Sequence, residues 1–139
     1  MKYDFFAETI DIGIDEPEEV YAITFTDPGN GAGPPDNYLL LQRSVSGAAD
    51  LTQVEPYTEL NDAVNGRFAS CFAGGELLPT YLHLRVKPSA GLSVRPDDPH
   101  GEAITDLVVR FKADAPTLRK LKYGLELVIG GAFEWRSLA

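Results

Sequence analysis

The segment Asn37–Ser44, NYLLLQRS, constrains this chain more than any other stretch. It is a compact apolar run between strong turn signals, DPGNGAGPPDN before it and a Ser/Gly/Ala-rich segment after it. Tyr38 to Leu41 suit a short internal strand with both faces lined, and Gln42-Arg43 closes it with long polar groups. The preceding segment Asp27–Asn37 carries three glycines and three prolines. It reads as a long hairpin connection into that strand. Its glycines do not make a phosphate loop, because there is no GK[ST] ending and no dinucleotide-type spacing that opens a helix.

Around this hairpin the apolar periodicity alternates as strands do. Tyr21, Ile23 and Phe25 share one side of a strand over Val20–Thr26, with Ala22, Thr24 and Thr26 on the other. Leu82, Leu84 and Val86 are the inner positions of Tyr81–Lys87, which Pro88 ends, and Leu107, Val109 and Phe111 mark the inner face of Ala103–Lys112. Weaker patterns predict one irregular strand over Tyr3–Ile12 and a short edge strand at Tyr57–Leu60. A further strand over Phe68–Ala73 is predicted to be closed by Gly74-Gly75. Asn65-Gly66 reads as a turn. A single helix follows, capped by Asp114, with Pro116 in its first turn and an apolar stripe at Leu118, Leu121, Leu125 and Val128. Gly124 in its interior implies close packing against the sheet, and Gly130-Gly131 ends it. The expectation is an α+β fold: an antiparallel-rich sheet of six to eight short strands, with one C-terminal helix packed on one face.

The 139 residues suit a single domain, 1–139, with a core of its own. One cysteine, Cys71, cannot form an internal disulfide, which fits a reducing compartment. The start, MKYDFFAETIDIG, lacks the apolar run of a signal peptide, and no stretch approaches a membrane span, so the expected location is cytoplasmic. A net charge of -9 opposes direct binding to nucleic acid or to an anionic membrane. The charge is uneven: residues 1–62 hold 13 acids and 2 bases, a net of -11, and residues 63–139 hold 8 acids and 10 bases, a net of +2. An acidic half is either a solvated face or a docking surface for a basic partner.

No cofactor motif appears, and no catalytic constellation or metal signature is assigned. Cys71 with His83 or His100 would make a nucleophile and base only if the fold joined them, and a cysteine in an apolar segment is more often core. Asp97, Asp98, His100 and Glu102 form the one dense group of potential metal ligands, in a spacing that matches neither a calcium loop nor a zinc site. Asp11, Asp15, Glu16, Glu18 and Glu19 form an acidic run, read as solvated surface or as a partner-docking patch. Arg43 is either structural or an interface anchor. Tyr57 and Glu59 alternate onto one strand face and allow the same two readings.

Tyr38-Leu39-Leu40-Leu41-Gln42-Arg43 is similar to a segment of immunity protein family ten of bacterial polymorphic toxin systems. Tyr57-Thr58-Glu59, the pair Gly74-Gly75, Leu82-His83-Leu84 and the ending from Leu107 to Leu125 resemble that family as well. The chain differs from it at Gly47–Asp50 and at Cys71–Ala73. What the resemblance implies is a cytoplasmic, non-enzymatic α+β protein that binds and neutralises a cognate toxin. No catalytic residue or cofactor is carried over. Joined to the acidic asymmetry, it points to a basic toxin such as a nuclease, with Asp11, Asp15, Glu16, Glu18, Glu19, Arg43, Tyr57 and Glu59 as candidate partner-binding residues. Two other classes stay open: a small hydrolase or metal-assisted enzyme using Cys71 or the Asp97–Glu102 loop, and an interaction module or homodimer formed along an exposed sheet edge.

Overall fold

The computed structural model describes residues 1–15, 20–29, 33, 35–44, 55–94, 101–129 and 134–137. These form ten strands and one α-helix: β1 (Lys2–Ala7), β2 (Thr9–Asp15), β3 (Val20–Asp27), β4 (Asn37–Ser44), β5 (Tyr57–Leu60), β6 (Arg67–Phe68), β7 (Phe72–Leu78), β8 (Tyr81–Val86), β9 (Asp106–Phe111), α1 (Ala115–Val128) and β10 (Glu134–Ser137). The fold is α+β and mostly antiparallel, with the helix near the C-terminus. The strands make two five-stranded sheets rather than one, in the orders β1-β9-β8-β7-β10 and β2-β3-β4-β5-β6. The pairs β1–β9 and β7–β10 are parallel, and the other pairs are antiparallel.

The split into two sheets begins where the alternation falters. Tyr3–Ile12 is not one bulged strand. The chain leaves the first sheet after Ala7 and enters the second at Thr9, and Glu8 between them donates its backbone N–H to Thr26 O at 2.9 Å. Strands that change sheets at a corner are a recognised way of closing a two-sheet core. Phe5 and Ala7 then face inward from the first sheet, while Ile10 and Ile12 pack from the second.

NYLLLQRS is the internal strand β4, paired with β3 over its whole length and with β5 over Leu39–Gln42. Its burial alternates: Leu39, Leu41 and Arg43 point into the core, and Tyr38, Leu40 and Gln42 are half-buried on the opposite face. The turn-rich connection does make a hairpin, with Asp27 paired to Asn37. Two other expectations change. β5 is not an edge strand, because the two-residue β6 pairs with its far side. Gly74-Gly75 lies inside β7, with β8 on one side and β10 on the other, and the strand proper begins only at Phe72.

One cluster of buried side chains joins the sheets and the helix, with Phe25 of β3 and Phe111 of β9 in ring contact at 6.4 Å. Asp114 caps α1, accepting the Thr117 N–H at 2.8 Å, and the helix packs on β2, β3 and β4. Gly124 is buried where α1 meets β3. A Cβ there would lie 2.9 Å from Tyr21 Cε1 and 3.0 Å from Ile23 Cδ1, so only glycine allows this approach. At the other end Tyr3 of β1 ties the sheets together. Its hydroxyl donates to Asn37 Oδ1 and accepts from Asn61 Nδ2 at 3.1 Å. Gly130-Gly131 and the Arg95–His100 part of the predicted loop lie outside the described residues. Among the described residues no helix is long and apolar enough to cross a membrane.

Candidate functional site

The outer face of the second sheet, turned away from the core, is built by alternation and register. Tyr38, Leu40 and Gln42 of β4 lie on it beside Tyr57 and Glu59 of β5, with Leu40 opposite Glu59 and Gln42 opposite Tyr57. β6 adds Phe68 opposite Tyr57. The carboxylate of Glu59 takes a phenol on each oxygen: Tyr57 donates to Oε1 and Tyr38 to Oε2. Tyr57 also packs against Phe68, ring centroids 4.7 Å apart, and its phenol lies over Gly66, where a side chain would have no room. Phe68 is 76% exposed, the most exposed of the large apolar residues described.

These contacts shift the phenols in one direction. The bond to Glu59, then burial, pushes Tyr57 up to about 12. Burial, then the bond to Glu59 and the nearby negative charges, pushes Tyr38 up further. Both tyrosines therefore stay neutral donors, locked in orientation by one acceptor. A groove of about 330 Å³ runs beside them, lined by Val20, Gln42, Ser44, Glu55, Tyr57 and Phe68, with Arg43 beneath. On the same face, roughly 14 Å away at three strand spacings, Asp11 of β2 is exposed and lies opposite Thr24, and Asp15 lies opposite Val20. Glu16, Glu18 and Glu19 lie outside the described residues. Aromatic rings held rigidly at one end of an acidic face are suited to protein recognition, because little side-chain freedom remains to be lost on docking.

Arg43 borders this groove from below, but its side chain is largely engaged in the interior. It alternates inward with Leu39 and Leu41, is 7% exposed, and donates from a terminal nitrogen to Leu127 O at 3.2 Å. That carbonyl belongs to the last turn of α1, where no intrahelical partner remains, so Arg43 caps the helix from β4.

The first sheet has an outer cleft of about 440 Å³, lined by Lys2, Asp4, Glu76, Tyr81, His83, Asp106, Val108 and Arg110. His83 of β8 sits between carboxylates from both neighbouring strands, Glu76 of β7 at 3.3 Å from Nδ1 and Asp106 of β9 at 2.8 Å from Nε2. The bond from His83 holds the Asp106 carboxyl below its usual range, and Thr105 Oγ1 also donates to it at 3.1 Å. A neutral imidazole has one N–H, so satisfying both acids takes the doubly protonated ring. The set joins three strands, assisted by the Arg110–Asp4 ion pair at 2.8 Å. The acids also approach the ring from opposite sides, and among the described residues no three metal ligands converge.

Cys71 is 1% exposed, its thiol pushed up by burial, with Ala69 O within 3.5 Å. It belongs to the core cluster beside Phe72 and borders a small interior cavity with Leu41, Thr58 and Val128, and His83 is not among the residues lining that cavity. Of the proposed metal loop, Glu102 is exposed, and Asp97, Asp98 and His100 lie outside the described residues.

The sequence pairs Tyr57 with Glu59 but gives no sign of Tyr38 as their partner, or of Glu76 and Asp106 as partners of His83. Alternation assigns each residue a face. Only the register across strands assigns its neighbours. No model of a known protein family matches the chain, and no curated protein matches it.

Proposed function

We propose that this protein is a cytoplasmic, non-enzymatic immunity protein of the polymorphic-toxin kind, binding a cognate toxin domain and holding it inactive. The observation that carries the reading is the Tyr38–Glu59–Tyr57 cluster beside exposed Phe68, on the same sheet face as the acidic strand β2. The resemblance of Tyr38–Arg43 to immunity family ten supports it from the sequence. So does the net of -11 over residues 1–62, which favours a basic partner such as a nuclease.

The mechanism is stoichiometric occlusion. Tyr57 and Phe68 supply rigid apolar area at the centre of the contact, and Glu59 keeps the phenols oriented. The acidic flank of β2 speeds encounter through complementary fields. The test is co-expression with the toxin encoded beside this protein. Survival of the cells and recovery of a one-to-one complex are expected. Continued killing by an active toxin, with this protein folded and no complex recovered, overturns the reading.

A further inference from the structure

We propose that the free edge of β2 is a docking strand, and that its occupant is an extended, basic segment of a partner protein added to the second sheet beyond β2. β2 closes that sheet at one end and pairs with β3 at seven consecutive positions without a break. Among the described residues no strand pairs with its other side. The opposite edge of the sheet is only the two-residue β6, too short to template another chain. Edges are usually blunted by brevity, proline, a bulge or charged side chains, lysine above all. Thr9–Asp15 is neither short nor bulged and holds no proline or lysine; its only charges are two aspartates, and it extends for roughly 23 Å with no strand on its outer side among the described residues.

The side chains select the occupant. Asp11 is exposed on the outer face, Gly13 is the next position on that face, and the register puts Asp15 at the one after it. A Cβ on Gly13 would meet nothing within 4 Å, so that face is open at the middle of the strand. Ile10, Ile12 and Ile14 occupy the alternate positions, and Ile14 is 55% exposed at the end of the row. A second copy fits poorly: an antiparallel pair centred on Gly13 would set Asp11 of each copy against Asp15 of the other, and like charges directly opposite are destabilising. A foreign strand with Lys or Arg at every second position sets its basic side chains on the face that carries the exposed Asp11 and the register position of Asp15, and its intervening β-branched residues extend the isoleucine row. Main-chain bonds would supply affinity and the alternation specificity.

This deepens the binding reading above and rests on it for the sign of the partner's charge. The test follows backbone amide exchange in the full chain with the capped peptide KTKVKTKVKT, against the equally charged KTKPKTKPKT, whose prolines cannot pair as a strand. The first peptide is expected to slow exchange within Thr9–Asp15 by about tenfold or more and the second to leave it unchanged. The double variant Asp11→Lys/Asp15→Lys is expected to lose the effect. Equal protection by both peptides, protection centred on Tyr57 and Phe68 instead, or none within β2 at millimolar peptide overturns the inference. A chain that neutralises its toxin while β2 ignores the peptide loses only the edge inference. A chain whose β2 takes the peptide without neutralising the toxin loses only the immunity reading.

Discussion

Glu59 is the residue on which the candidate surface turns, because one carboxylate fixes two phenols from two strands. Tyr57 titrates at about 12 instead of 10.0 in the folded chain. A raised folded-state value means that the contribution is complete below pH 10 and is lost as pH climbs through about 12. Glu59→Gln removes the charge and the charged acceptor, so the late tyrosines in an ultraviolet pH titration are expected to move back toward 10 and the alkaline loss of stability to begin earlier. A titration unchanged by Glu59→Gln contradicts this account of the cluster. Arg43 makes the opposite kind of prediction. Arg43→Leu leaves the Leu127 carbonyl without that donor in a part-buried setting, at a cost of about 1 kcal/mol or more in urea unfolding. A surface anchor would cost almost nothing. The placement of Tyr57 and Glu59 on one face was legible in their spacing. The inward turn of Arg43 was left open, since a long polar residue at the end of an apolar run suits either a structural role or an interface anchor.

Among the elements, those with clean periodicity were readable. β3, β8 and β9 follow from alternation, and α1 from its stripe and its Asp114 cap. Gly124 was legible too, as an implied close contact. Gly124→Ala gains about 1 kcal/mol in helix propensity, but its Cβ must displace the ring of Tyr21 or the fully buried Ile23, and overpacking costs about 1–3 kcal/mol. The variant is expected to be less stable than wild type by about 1 kcal/mol, measured by denaturant midpoint; a more stable variant would mean that the contact is loose. Where adjacent elements compete, sequence reasoning failed. Tyr3–Ile12 carries two apolar phases because it serves two sheets, and Gly74-Gly75 looks like a terminator although strands pair on both sides of it. The clip across β7, β8 and β9 is equally invisible, because Glu76 and Asp106 stand 7 and 23 residues from His83. It has a pH signature. The Asp106 carboxyl lies below its ordinary 3.8, so the clip contributes above that value and is lost as pH falls through the depressed one. With Asp106 40% exposed, the loss stays within about 1 kcal/mol. His83→Gln is expected to flatten that part of the acid unfolding profile, and an identical profile would sink the assignment.

At the scale of the whole molecule, the two sheets and the helix bury one core, leaving an outer face on each sheet. The two faces differ in character. That of the first sheet balances its charges locally, through Glu76–His83–Asp106 and Asp4–Arg110. That of the second combines oriented aromatics with the exposed Asp11 of β2, which are the features the proposed contact uses. The α+β class was readable because it depends on periodicity and turn signals. The division into two sheets was not, because it depends on which strands find each other over long sequence separations. A basic partner should associate more slowly as salt rises, with dissociation little affected, since the aspartates of β2 act mainly on encounter. The central claim is that the Tyr57–Phe68 end of this face is the heart of the contact. It is tested most directly by calorimetric titration of the purified toxin domain into wild type and into Phe68→Asp, a change at a position already 76% exposed. The account predicts one-to-one binding by wild type, and a variant of unchanged melting temperature that binds at least about thirtyfold more weakly, near 2 kcal/mol. Equal affinity of the two proteins would contradict it.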